Sequence, residues 1–289
     1  MNDSNLKRAW GIISPIVIYL VIERCVGFLM NIFYLYDLLD EDTVWTDELE
    51  AELYEKVYEM QNNNIVLLAG IVALISILIF WPKLRKEWVK RPYRLEMHEP
   101  VYLKYIYVVI ASVGLTVSSN LAINAFHFFK YAYDYAEVSR LIYTEPLILQ
   151  ILVIGIIMPI CEELLFRGLI YERVTNYASE KSALIVTSLL FGFFHGTWIQ
   201  IIYAFGFSVV MIYAYRCTGS FLTPVIFHIV SNLAALAFRQ LPVFSTMGFS
   251  IGIVSFAVIG LGGLYLLKQG DFYRRISLNA YKPKDNNVE

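Results

Sequence analysis

The stretch CEELLFRG, residues 161–168, sets two adjacent glutamates directly behind the apolar run ILVIGIIMPI. Ionisable side chains within apolar spans are costly, and they face a bundle interior where they pair or do chemistry. Arg167 follows Glu163 by four residues, the favourable order for an ion pair on one helix. Glu162 lies about 100° further round the helix, and no basic residue on its own helix is placed to pair with it. A carboxylate whose charged form is desolvated is suited to taking a proton from water. Glu162 is therefore the candidate general base, and Glu163 with Arg167 the supporting pair. The neighbouring Cys161 is expected to be a buried, inert thiol rather than a nucleophile.

Two of the four histidines, His195 and His228, also fall in apolar spans. The turn between the fourth and fifth spans is expected at 177–181. Seventeen residues back from Ser179 is Glu162, and sixteen forward is His195. Antiparallel helices of equal rise put those two at one depth. Asn232 follows His228 by one turn and shares its face. Three spans thus offer groups that could converge in one pocket. Pro159 cannot donate to Gly155 and loosens the helix before the carboxylates, and Pro224 is expected to kink the helix before His228. Glu23 and Arg24 lie in the first span. Ser112, Thr116, Asn120 and Asn124 recur every four residues in the third, with His127 beyond them. That stripe is either close helix packing or a cavity wall.

The elements that must hold these groups follow from composition. The chain has 289 residues, 58% hydrophobic and 17% charged, against about 25% charged in soluble domains. Uncharged runs are long enough to cross about 30 Å of hydrocarbon, and they lack the period-two alternation of barrel strands. The reading is an all-α, polytopic membrane protein with about eight transmembrane helices: 10–36, 63–81, 102–129, 146–170, 182–198, 199–215, 221–238 and 249–267. Three cysteines in or beside apolar runs make no disulfide framework. The first span reads as uncleaved.

With the N-terminus inside, basic residues collect on the inner side. They are Lys7, Arg8, Lys83, Arg85, Lys86, Lys90, Arg91, Arg94, Arg173, Lys181, Arg216, Lys268, Arg274, Arg275, Lys282 and Lys284. The outer side holds Lys56, Lys130, Arg140 and Arg239. The positive-inside rule then makes both termini cytoplasmic. The loop 83–94 is expected inside and the acidic segment 37–59 outside. Leu49, Leu53, Val57 and Met60 recur there at helical spacing and suggest a short amphipathic helix. Residues 268–289 read as a disordered basic tail. The expected division is 1–140 as N-terminal helices with their loops, 141–245 as the catalytic core, and 246–289 as the last helix and tail.

Three motifs, Glu162-Glu163-x-x-x-Arg167, Phe191-x-x-x-His195 and His228-x-x-x-Asn232, lie on successive spans. In them the chain resembles the CPBP family of CAAX proteases and bacteriocin-processing membrane proteins, also called Abi, with the type II CAAX prenyl endopeptidase among its relatives. The resemblance covers about 145–240. It implies an eight-helix intramembrane endopeptidase whose first glutamate, Glu162, activates water. His195 would orient Glu162 or the water, and His228 with Asn232 would stabilise an oxyanion. A metal version, with zinc, would use Glu162, His195 and His228 as ligands with an open position for water. It lacks an HExxH motif and would take Glu162 away from base catalysis.

The expected activity is cleavage of a membrane-associated peptide or protein near the cytoplasmic face, at a multi-pass cell-membrane location. The expected partners are the lipid bilayer and a peptide or protein substrate, with no nucleic acid. The alternative is a non-enzymatic membrane partner, such as a bacteriocin immunity or regulatory protein. A transporter is disfavoured by the absence of internal repeats. No motif here reads a prenyl group.

Overall fold

The computed structural model describes residues 3–39, 45–89, 93–97, 101–125, 133–239, 246–270 and 272–277. His127, Lys90, Arg91, Lys130, Lys282 and Lys284 lie outside them. The chain is an all-α polytopic membrane protein with one small β-ribbon. In chain order it runs through α1 (Asp3–Leu38), α2 (Asp47–Asn63), α3 (Ile65–Val89), β1 (Tyr93–Met97), α4 (Val101–Ala125) and α5 (Tyr133–Thr144). There follow the composite helix α6 (Leu147–Thr175), α7 (Glu180–Phe193), α8 (Trp198–Thr218), α9 (Leu222–Arg239), α10 (Thr246–Gln269) and β2 (Tyr273–Ser277).

Seven helices among the described residues are long and apolar enough to span a membrane, not the eight expected. The exception is α7. Its 14 residues rise roughly 21 Å, short of the hydrocarbon thickness. The helix stops because Gly196 takes φ +83 and Thr197 caps the next helix by accepting from the Gln200 N–H. The expected break at 198/199 therefore falls at 194–197 instead.

Three other expectations are corrected by the backbone. Residues 83–89 are not loop. Phe80 and Leu84 are fully buried one turn apart, and Trp88 stacks on Phe221 at 5.3 Å, so one continuous face keeps α3 helical to Val89. The segment after Lys268 is not wholly disordered, because Tyr273–Ser277 pairs antiparallel with Tyr93–Met97. Pro224 sits in the first turn of α9, where no intrahelical N–H is needed, so it gives no reason for a kink before His228. The amphipathic segment does form a helix, α2, which buries Leu53 and is capped by Thr46.

One end of the bundle gathers the basic positions. Arg173 of α6 bonds the Gly11 carbonyl of α1 and the Glu87 carboxylate at the end of α3. Arg8 lies over the Tyr177 ring. Arg216 pairs with Glu180, and the Tyr273 hydroxyl donates to the Arg216 carbonyl at 3.0 Å. The start of α1, the end of α3, the α6–α7 turn and the ribbon therefore share one end. The acidic α2 and α5 lie at the other. On the far side of the bundle α4 and α10 pack so closely that a Cβ on Gly114 would run into the Gly260 backbone.

Candidate active site

Helix α6 positions the carboxylates, and it is not a plain α-helix. Residues Gln150–Ile157 and Leu164–Tyr171 are π-helical, on either side of an α-helical Met158–Glu163. In the first π segment the Met158 N–H bonds the Val153 carbonyl. The next bond in that register would run from residue 159 to the Ile154 carbonyl, and Pro159 has no N–H. The Asn232 side-chain amide donates to that carbonyl at 2.8 Å. Proline and asparagine thus fit one another across two helices. The second π segment is buried at every residue and seals the site from the basic end.

Glu163 and Arg167 pair as their spacing predicts, Nη1 to Oε1 at 2.8 Å with both side chains 0% exposed. Sequence reasoning missed the second partner. His228 Nδ1 also lies 2.8 Å from Glu163 Oε1. No local pattern joins residues 65 apart, so only the tertiary packing reveals this pair.

Glu162 faces the other way. Its Oε2 lies 3.9 Å from His195 Nε2 and 3.8 Å from His228 Nε2. The same buried oxygen accepts no hydrogen bond from the described residues. The equal-depth argument for Glu162 and His195 therefore corresponds to a real approach of the two side chains.

The histidine orientations follow from where their other nitrogens go. At the end of α7 the His195 N–H turns to the Gly192 carbonyl, leaving the Phe191 carbonyl for the ring of His195, whose Nδ1 donates to it at 2.8 Å. This is the physical content of the F-x-x-x-H spacing. A carbonyl and a carboxylate only accept, so each Nδ1 carries a proton, and each ring turns its Nε2 toward Glu162. Phe191 joins the parts. Its ring stands 4.3 Å from the Arg167 guanidinium carbon, 4.6 Å from the His195 ring and 5.8 Å from the His228 ring.

Two cavities meet at Met158, Glu162 and His195. The larger, about 1020 Å³, runs between α1, α3 and the end of α7 and is lined by Glu23, Arg24, Asn31, Gln61 and Asn62. The smaller, about 270 Å³, lies among α4, α5, α8 and α9 and reaches His228 and Asn232. The polar stripe of α4 divides between the two roles considered for it. Ser112 bonds the Phe227 carbonyl and Ser231, which is packing, whereas Thr116 and Asn120 line the smaller cavity. Asn124 bonds back to the Asn120 carbonyl, and Cys161 is fully buried.

The donor types of Glu162, His195 and His228 suit zinc, and each Nδ1 is anchored as in metal-bound histidines. The spacing does not suit it. Bonds of about 2.0–2.1 Å in a tetrahedral shell put neighbouring donors about 3.3 Å apart, closer than the approaches found here. Among the described residues no three His, Cys, Asp or Glu side chains form a set that could hold a metal ion. As arranged, these residues are not a closed ligand shell.

A buried carboxylate facing two imidazole nitrogens inside a multi-pass helical bundle defines a membrane-embedded polar site. Residues 144–234, which contain all seven motif residues, match the family model described as type II CAAX prenyl endopeptidase Rce1-like. In this segment the chain is similar to that family. It is also similar to the UPF0177 protein YxdF of Lactococcus lactis subsp. lactis (strain IL1403), 33% identical over 90 residues, or 30% of this chain and 49% of the relative. The chain thus spans about half the length of that curated relative. No solved structure matches the chain.

Proposed function

We propose that this protein is an intramembrane endopeptidase in which Glu162 activates water against a peptide carbonyl. The observation that carries the reading is Glu162 Oε2 set 3.8 and 3.9 Å from two imidazole nitrogens, at the wall between two cavities. That spacing admits one water hydrogen-bonded among the three groups. The match to an endopeptidase family over 144–234 supports the reaction class.

In the proposed reaction the water gives one proton to Glu162 as its oxygen attacks the carbonyl carbon. Nε2 of His195 accepts the water's other hydrogen, which stays on the attacking oxygen, and aims the water's lone pair. His228, entering the step with a proton on Nε2 as well as on Nδ1, donates to the oxyanion, and Glu163 balances its charge. Asn232 keeps a second amide hydrogen beyond the one held by Ile154, and it lines the same cavity. Collapse breaks the C–N bond, and the proton held by Glu162 passes to the leaving amine. Arg167 pairs with Glu163 and holds it in place, so Glu163 and Arg167 are positioning residues.

Comparing the peptides of cells that make wild-type protein with those that make Glu162→Gln tests the reading. Fragments present only with the wild type support it. Identical peptide sets, with both proteins equally abundant, would sink it in favour of a binding or immunity role.

A further inference from the structure

Resting on the endopeptidase reading, we propose that substrate reaches Glu162 from the end of the bundle that carries α2 and α5, through the larger cavity. The substrate is then a polypeptide segment presented on that side of the membrane. Given the basic asymmetry of the chain, that is the outer side. The residue pattern alone suggested cleavage near the opposite, basic face.

The lining shows which way the cavity runs. On α1 it extends from Ile16 through Glu23 to Asn31, away from the start of the helix. On α3 it takes only Ile65 to Val72, the half next to α2. At its far end are Gln61 and Asn62, the last turn of α2, where the Gln61 amide bonds the Asn31 side chain across the rim. The smaller cavity runs the same way and ends under α5 at Val138, Ile142 and Tyr143.

The short α7 explains the opening. A helix of 14 residues cannot fill the α2 half of the bundle, so the space beyond its tip stays open above His195. Below that tip the way is shut. Tyr19 stacks on Phe194 with ring centres 5.0 Å apart. Phe80, Leu84, Leu165, Phe166, Leu169 and Ile170 are all fully buried beneath the carboxylates. Glu162, buried with an oxygen that accepts no hydrogen bond from the described residues, is thus reached from one side.

Side-resolved labelling tests the route. Gly27 lines the larger cavity, and a Cβ there meets nothing within 4 Å, so Gly27→Cys can be introduced without a clash. The background carries Cys25→Ser and Cys217→Ser, and Lys83→Cys in a second protein marks the basic end. A bulky, membrane-impermeant maleimide is applied to intact cells and to inside-out vesicles. Gly27→Cys is expected to react from the side where Lys83→Cys does not. Labelled Gly27→Cys is expected to cleave a quenched peptide library at least tenfold more slowly than the same protein unlabelled. Reaction only from the Lys83 side would overturn the route. So would no reaction until the protein is denatured, or full labelling with undiminished cleavage. If the unlabelled protein cleaves nothing, the endopeptidase reading fails, and the side of labelling still decides the route.

Discussion

His228 presents Nδ1 to Glu163 at 2.8 Å and Nε2 to Glu162 at 3.8 Å. One imidazole therefore separates two neighbouring carboxylates that differ in everything but type. Glu163 is fully buried and shared between Arg167 and His228. Glu162 borders both cavities.

Removing Arg167 should act on folding first. Arg167→Ala leaves Glu163 buried with only the His228 imidazole beside it, and breaking a buried pair in this way costs about 3–5 kcal/mol. Thermal unfolding of the purified protein in detergent should show a large drop in Tm, with Arg167→Lys falling between. An unchanged Tm for Arg167→Ala would remove Glu163 from its positioning role.

Asn232 and Pro159 should prove coupled. Asn232→Ala leaves the Ile154 carbonyl without its donor, a loss of about 1–3 kcal/mol for a buried polar group. Pro159→Ala returns an N–H that can serve the same carbonyl. The Asn232→Ala penalty should therefore shrink in the Pro159→Ala background, measured as a double-mutant cycle on Tm. Strict additivity would mean that the asparagine does not stand in for the missing N–H.

Much of this site is legible in the residues because its relations are local. The Glu163–Arg167 pair, the shared face of His228 and Asn232, and the common depth of Glu162 and His195 all follow from helical rise and turn. What stays hidden depends on partners far along the chain. The bond from His228 to Glu163 and the one from Asn232 to Ile154 each join separate helices. The π-helical stretches of α6 leave no periodicity to read. The early end of α7 did leave a signal, since Gly196 followed by Thr197 is a stop and a cap. The apolar run around it masked that signal.

Metal dependence can be measured directly. With Glu162 free to act as base, protein purified without added metal should carry far less than one zinc per chain, and chelators should leave turnover intact. His228→Ala should then lower kcat by about 10²–10³-fold, the usual size for losing one oxyanion donor, with no change in metal content. Stoichiometric zinc, removed by a chelator along with activity and lost in His228→Ala, would replace the carboxylate-base mechanism with a metal one.

In the proposed mechanism Glu162 does the chemistry and Glu163 does not touch the reacting atoms. The most direct measurement is the turnover of a peptide cleaved by the wild type, compared for Glu162→Gln and wild type in the same lipid, with Tm recorded for both. Glu162→Gln changes one buried oxygen and removes no hydrogen bond from the described residues. Cleavage by Glu162→Gln is expected to fall below detection while Tm stays within a few degrees of the wild type. Retained cleavage by a normally folded Glu162→Gln protein would contradict it.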